Sequence, residues 1–133
     1  MATTLKQPAL DQEYLRINYH ETGYSYLLPD SLALLNGQAR IYQHALEVHH
    51  RRGDLASVAA EAHGLKGAAG SLGAAALSEL ADAIEQAAEA RDTAQLLTLF
   101  EALPGCVQET VQAINQELVR LAEKDNAQLD QLF

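Results

Sequence analysis

Apolar residues recur every three or four positions through the last third of the chain, which is the spacing of one face of an α-helix. This stripe consists of Leu96, Leu99, Phe100, Leu103, Val107, Val111, Ile114, Leu118 and Leu121. Asp92 or Thr93 is the predicted start of the helix. Because Pro104-Gly105 falls inside the stripe, the sequence predicts a kink there or a split into two helices that pack on one core. After about Lys124 we expect a frayed tail.

Four further segments with helical spacing precede this stripe. We expect a brief helix over residues 29–35, ended by Asn36-Gly37, and a second helix over about 38–52. Asp54 is the predicted cap of a third helix, and a fourth helix is expected over about 74–90. Four amphipathic helices with short connections favour an all-α fold, an antiparallel four-helix bundle with a short extra N-terminal helix.

The inward faces of the second and fourth helices follow from the same spacing. In the second helix the residues expected to point inward are Ile41, Tyr42, Ala45, Leu46 and Val48. In the fourth they are Leu77, Leu80, Ala81, Ile84 and Ala88. The outer face of the fourth helix is acidic and carries Glu79, Asp82, Glu85 and Glu89. Residues 28–124 are the predicted bundle, residues 1–27 an arm or linker, and residues 125–133 a tail.

Composition limits the class of protein. At 133 residues the chain is one domain that can bury a core without disulfides. The formal net charge of −9 argues against nucleic-acid binding, because nine basic residues face eighteen acidic ones with no long basic run. Cys106 is the single cysteine, which excludes an internal disulfide and a thiolate metal cluster. No apolar run approaches the roughly 18 residues of a membrane span, so we expect a cytoplasmic protein with no membrane contact.

One histidine lies on an unusually bare helix face within the stretch EAHGLKGAAGSLG, residues 61–73. The apolar residues of this helix share the opposite face, and they are Leu55, Val58, Ala62, Leu65, Ala69 and Leu72. His63 points roughly 130° away from the centre of that face, and Lys66 follows it one turn along. The other neighbours of His63 on its side of the helix are Ala56, Ala60, Gly67 and Gly70. Each glycine costs a helix about 1 kcal/mol relative to alanine, so the bare face destabilises the helix. We therefore expect that this face serves the close approach of another surface to His63.

The run HGLKGAAGSLG, residues 63–73, resembles the signature of histidine-containing phosphotransfer (HPt) domains. That signature is a histidine, a small polar residue, an aliphatic residue, lysine, glycine and a run of small residues ending in leucine-glycine. The resemblance covers about residues 29–121 and includes Gly53-Asp54 at the start of the histidine helix. Two positions depart from the family pattern. Gly64 replaces the usual threonine or serine, and His49 replaces a common aromatic residue.

The resemblance implies a phosphorelay intermediate, which accepts a phosphoryl group on His63 from a receiver-domain aspartate and passes it to another receiver domain. It implies that Lys66 stabilises the phosphate and that the partner docks on the small residues around the histidine. These docking residues are Ala56, Ala60, Gly67, Gly70 and Ser71. The implied partners are response-regulator receiver domains, including those of a hybrid sensor kinase, and a monomer is expected. The receiver would supply Mg²⁺, so the chain itself would need no cofactor and have no autonomous kinase activity.

Two other functions fit parts of the same pattern. A non-catalytic four-helix adaptor would bind a partner through the small-residue face around His63 and would be indifferent to the imidazole. A hydrolytic or acid–base enzyme would need a second catalytic group, and no serine or aspartate lies one turn from His63. We interpret the remaining histidines as structural rather than as ligands of a metal ion. They are His20, His44, His49 and His50.

Overall fold

The computed structural model describes residues 7–132, and this part of the chain contains helices and turns but no strand. The first helix, α1, covers Gln12–Leu15 and continues into a π-helical turn at Arg16–His20. A 3₁₀ turn at Ser25–Leu27 leads into four longer helices. These are α2 (Leu28–Arg51), α3 (Leu55–Gly70), α4 (Ala75–Glu89) and α5 (Thr93–Leu132). The prediction of an all-helical chain is confirmed, while residues 1–6 of the predicted arm and Phe133 of the predicted tail lie outside the described residues.

Helices α2 to α5 enclose one core. Helix α3 packs on α2 and α4, and α5 packs on the same two helices, so α3 and α5 lie across the core from each other. The largest fully buried side chains are Leu15, Leu28, Leu32, Leu35, Leu46, Leu65, Leu77, Leu80, Ile84, Leu96, Leu103 and Ile114. The core is therefore built mainly from leucine, and every long helix contributes one face to it.

Helix α2 is continuous, so the predicted break at Asn36-Gly37 is wrong. Leu32, Leu35 and Ala39 are all buried, on both sides of that pair. Each buried leucine contributes about 1.5–3 kcal/mol, which exceeds the roughly 1 kcal/mol cost of a glycine inside a helix. The shared core face therefore holds the helix through Gly37, and residues 29–35 do not form a separate helix.

The position of Ile41 also differs from the prediction. Its side chain was expected to point inward, but it is 70% exposed. The buried face of α2 passes from Ala39 through the half-buried Tyr42 to Leu46. Ile41 precedes Tyr42 by one position and so points about 100° away from it on the helix.

Helix α5 runs through Pro104 as one helix, so the predicted split is wrong. Pro104 itself is exposed, whereas Leu103 and Val107 are buried. Because the apolar stripe keeps its phase across the proline, packing on α2 and α4 holds both halves in one helix although Pro104 has no N–H to donate. The predicted fraying after Lys124 also differs from the structure, where the helix continues to Leu132 with exposed side chains.

Two aspartates begin helices as the sequence predicts. Asp54 Oδ1 accepts a hydrogen bond of 3.1 Å from the backbone N–H of Ser57 at the start of α3. Asp92 Oδ1 accepts one of the same length from the N–H of Gln95 at the start of α5. Gly53, with a φ of 68°, supplies the left-handed residue of the reversal between α2 and α3.

The N-terminal segment packs on the bundle as an arm. Leu15 is fully buried. The backbone N–H of Asp11 donates to the carbonyl of Gly73 at 2.8 Å, and the N–H of Ala76 donates to the carbonyl of Pro8 at 2.9 Å. The arm therefore lies against the turn that joins α3 to α4.

A buried carboxylate fastens the arm to α5. Glu117 is only 3% exposed, and it accepts hydrogen bonds from Gln12 Nε2 at 2.9 Å and from Arg120 at 2.7 Å. Burial raises the pKa of Glu117, but the hydrogen bonds from Arg120 and Gln12 outweigh burial and leave the pKa below the ordinary value of 4.5. The ionised form therefore stabilises the fold above pH 4.5, and this contribution is lost as the pH falls through the lowered pKa.

Replacement of Glu117 with alanine is expected to lower the free energy of unfolding by about 1–3 kcal/mol at pH 7, because Gln12 and Arg120 lose a buried acceptor. Urea unfolding measures the loss, with Glu109→Ala on the exposed side of the same helix as the control. The difference between wild type and the Glu117 variant should shrink as the pH falls below the pKa of Glu117. A loss equal to that of the control would show that the carboxylate does not hold the arm.

Candidate functional site

Helix α3 presents His63 to solvent. The buried face of this helix is formed by Val58, Ala62, Leu65 and Ala69. The His63 side chain, on the other side, is 71% exposed. A partner therefore reaches the imidazole without any movement of the bundle.

Glu85 on α4 holds the imidazole of His63. Glu85 Oε2 lies 2.7 Å from His63 Nδ1, and the Glu85 side chain is only 12% exposed. Burial raises the pKa of Glu85, but hydrogen bonds from Lys66 and His63 outweigh burial and leave the pKa below its ordinary value. Glu85 is thus a carboxylate at neutral pH, and its contact with Nδ1 is a hydrogen bond that the imidazole donates.

This hydrogen bond fixes the tautomer of His63. A carboxylate only accepts hydrogen bonds, so the proton of a neutral His63 ring lies on Nδ1. Nε2 then carries the lone pair. The site therefore combines an exposed ring with an unprotonated nitrogen on the side away from Glu85, which is the requirement for a nucleophile.

Lys66 completes a charged cluster with two residues of α4. Its Nζ lies 3.1 Å from Asp82 Oδ1 and 3.1 Å from Glu85 Oε1. The hydrogen bonds to Asp82 and then to Glu85 raise the pKa of Lys66, and the hydrogen bond from Lys66 is the main cause that lowers the pKa of Asp82. All three groups are therefore charged at neutral pH, and Glu85 connects Lys66 to His63.

Glu85 and Asp82 were not predicted as site residues. From the sequence both were expected on the acidic outer face of the fourth helix, and in the structure that face lies toward His63 and Lys66. The available signal was the matching spacing: the histidine and lysine are three residues apart on α3, and the aspartate and glutamate are three residues apart on α4. Residues with this spacing can face each other when their helices are neighbours, whether parallel or antiparallel. The sequence does not say which helices are neighbours.

The small residues predicted to receive a partner do not all lie on the open surface. Ala56 and Ala60 are exposed, and nothing lies within 4 Å of where a Cβ of Gly67 would be. Gly70 differs from the prediction, because a Cβ there would lie 3.2 Å from Ser78 Oγ of α4. Gly70 therefore allows close packing of α3 on α4.

Ser71 is exposed, but its backbone already has partners. Its carbonyl accepts hydrogen bonds from the hydroxyl groups of Tyr19 at 2.8 Å and Tyr14 at 3.3 Å. Tyr14 and Tyr19 thus join the arm to the end of α3.

Gly64 leaves room for a tyrosine of the neighbouring helix. A Cβ at position 64 would lie 2.9 Å from the hydroxyl oxygen of Tyr42 and 3.1 Å from its ring. The ring of Tyr42 thus occupies the space that a side chain at position 64 would need. This contact explains why glycine is suited to a position where threonine or serine is usual.

The other histidines lie outside this cluster. The ring of His50 stacks on Phe100 with 4.1 Å between ring centroids, and His49 Nε2 lies 3.8 Å from Glu61 Oε1. In residues 7–132 no group of three histidine, cysteine, aspartate or glutamate side chains is arranged to hold a metal ion. No helix in the same part of the chain is long and apolar enough to cross a membrane.

A family model matches most of the chain, including the motif at residues 63–73. The model of the Hpt domain family matches residues 30–131. The match includes all of α3, α4 and the four charged or polar residues of the site, and it begins after the arm. Comparison with curated proteins and with solved structures gave no match.

Proposed function

This chain belongs to the Hpt domain family, and we propose that His63 is the residue on which it carries a phosphoryl group from one receiver domain to another. Hpt domains act in histidine phosphotransfer in two-component signalling, and they interact with response-regulator receiver domains. The observation that carries the proposal is the 2.7 Å contact between His63 Nδ1 and Glu85. It leaves the exposed Nε2 as the nucleophile.

In the proposed reaction the Nε2 lone pair attacks the phosphorus of an aspartyl phosphate on the receiver. The N–P bond forms while the P–O bond to the aspartate breaks, and the aspartate carboxylate leaves with the bonding electrons. The Nδ1 proton stays on the ring, so positive charge develops there. The carboxylate of Glu85 stabilises that charge, as a buried carboxylate does beside other catalytic imidazoles. Attack on phosphohistidine by the aspartate of a second receiver reverses these steps.

We assign two tasks to Lys66. Before transfer its ammonium holds Glu85 and Asp82 in place, since it lies 3.1 Å from each carboxylate. After transfer the phosphohistidine carries roughly two negative charges, which attract the same ammonium from one turn away. The receiver is expected to supply Mg²⁺ and its own acidic site, so we propose no cofactor for this chain.

The remaining features of the proposal concern the assembly. The contacts of α2 to α5, each with two neighbours, support an antiparallel four-helix arrangement with its core between residues 28 and 124. We propose that the chain acts as a cytoplasmic monomer. Its partners would be receiver domains, including one of a hybrid sensor kinase, and not nucleic acid.

The direct experiment is incubation of the wild-type chain with a panel of receivers that carry a radiolabelled aspartyl phosphate. We expect label to appear in the chain as an acid-labile, base-stable adduct, which is the behaviour of phosphohistidine. Incubation with labelled ATP alone should give no adduct, since the sequence has no phosphate-binding glycine loop of the P-loop type. The absence of transfer from every receiver in the panel would contradict the proposal.

Glu85→Ala is expected to slow transfer by roughly ten- to a hundredfold, because the ring loses the acceptor that selects its tautomer. Glu85→Gln should be slowed less, since its amide oxygen still accepts the Nδ1 proton. The matched control is Glu89→Ala, at the exposed last residue of the same helix. Single-turnover transfer at pH 7 measures all three variants. Equal rates for Glu85→Ala and the control would remove Glu85 from the mechanism.

A further inference from the structure

A groove extends from Lys66 along the arm, and we infer that it is a second part of the docking surface, which receives a positively charged segment of the receiver domain. The inference rests on the proposed function and adds to it a feature of the partner. It also gives a function to the arm, which precedes the residues matched by the family.

The groove lies between the arm and α4 and has a volume of about 570 Å³. Its walls are formed by Gln7, Asp11 and Tyr14 of the arm and by Ser78, Glu79 and Asp82 of α4. One end is lined by Lys66 and Gly70 of α3. Because Lys66 follows His63 by one turn, a domain seated over the imidazole also covers this end of the groove.

The arm wall is held in a fixed position. Tyr14 and Tyr19 both donate hydrogen bonds to the carbonyl of Ser71, and Asp11 donates its backbone N–H to the carbonyl of Gly73. Gly73 has a φ of 72°, and a Cβ there would lie 3.0 Å from the ring of Tyr14. The turn and the arm are therefore fitted to each other, so the groove exists before a partner binds and little ordering entropy is lost on docking.

The charge of the groove selects the chemistry of its occupant. Three acidic residues line it, Asp11, Glu79 and Asp82, against the single basic residue Lys66. The ammonium of Lys66 is already hydrogen-bonded to Asp82 and to Glu85. The remaining negative charge comes from the arm and from the exposed Glu79, and a lysine or arginine side chain of the receiver complements it.

Charge substitutions on the two walls test this inference. The variants are Gln7→Lys on the arm and Glu79→Lys on α4, both at exposed positions. Gln112→Lys is the matched control, since Gln112 is exposed on α5, and α5 lies across the core from α3. Single-turnover transfer is measured against the concentration of a phosphorylated receiver that labels the wild type, at low and at high salt. Phosphoramidate is a small phosphoryl donor that loses ammonia as its P–N bond breaks. It tests the reactivity of His63 independently of receiver docking.

We expect the half-saturating receiver concentration to rise roughly three- to tenfold for Gln7→Lys at low salt and less at high salt, with the limiting rate unchanged. Glu79→Lys should act in the same direction, and Gln7→Glu in the opposite one. Labelling by phosphoramidate should equal that of the wild type in every variant. If Gln7→Lys and Gln112→Lys have the same half-saturating concentration, the groove is not part of the docking surface. If the wild type accepts phosphate from neither donor, it is the proposed function that fails.

Discussion

Replacement of His63 with glutamine is expected to abolish phosphoryl transfer and to leave the fold intact. The side chain is 71% exposed and contributes nothing to the core, so the melting temperature should change little. Glutamine has no nucleophilic nitrogen, so neither a phosphorylated receiver nor phosphoramidate should label the variant. His44→Gln, at an exposed position of α2, is the control and should be labelled like the wild type.

Two outcomes for His63→Gln would contradict the proposed function. Retained acid-labile label would place the phosphoryl group on another residue. If instead neither the variant nor the wild type were labelled, while both bound the same partner equally, the chain would be an adaptor that is indifferent to the imidazole. The proposed function requires a labelled wild type and an unlabelled variant.

Replacement of Gly67 with arginine is expected to slow transfer from receivers by roughly a hundredfold or more, because a displacement of about 1 Å at a reacting centre is enough for a loss of that size. Nothing lies within 4 Å of where the Cβ of this residue would be, so the fold accommodates the side chain. The gain in helix propensity is about 1 kcal/mol or less, and the melting temperature should stay level or rise. The new side chain would occupy the space one turn from His63 that the receiver must enter.

Gly105→Arg is the matched control for Gly67→Arg. Gly105 is also inside a helix with no atom within 4 Å of the Cβ position, but it lies on α5, across the core from α3. Phosphoramidate labelling should be much less affected by Gly67→Arg than receiver transfer, since the small donor needs less room. If the melting temperature of Gly67→Arg fell together with its transfer rate, the glycine would be a packing residue. Equal receiver transfer in the two arginine variants would show that no partner approaches at position 67.

Helical spacing predicted the features of the site that depend on one helix. The phase of Val58, Ala62 and Leu65 places His63 on the opposite side of α3, and the structure agrees. The cap at Asp54 is equally local, because it depends on residues three positions apart. Such features are decided within a turn or two of helix, so the sequence alone is sufficient.

The features that depend on two helices were missed or wrong. The contact of Glu85 with His63 joins residues 22 positions apart, and no spacing on one helix reveals it. A side chain at Gly70 was expected to meet open space because its direction was judged from α3 alone, whereas its Cβ would lie 3.2 Å from Ser78 Oγ of α4. The break predicted at Asn36-Gly37 is wrong for a related reason, because it too was judged from a single helix without its neighbours. Local propensity favoured an end there, but burial of α2 against its neighbours outweighs a cost of roughly 1 kcal/mol.

The position of the phosphoryl group on the imidazole tests the central claim most directly. Glu85 Oε2 lies 2.7 Å from Nδ1 of His63 and accepts its proton in a hydrogen bond, so only Nε2 is available to attack phosphorus. The wild-type chain, enriched in ¹⁵N and phosphorylated by a receiver, would be examined by ¹⁵N and ³¹P NMR. We expect one phosphorylated residue, His63, with coupling between phosphorus and Nε2 and a proton on Nδ1. A phosphoryl group on Nδ1 of His63, or on any other residue, would contradict the claim.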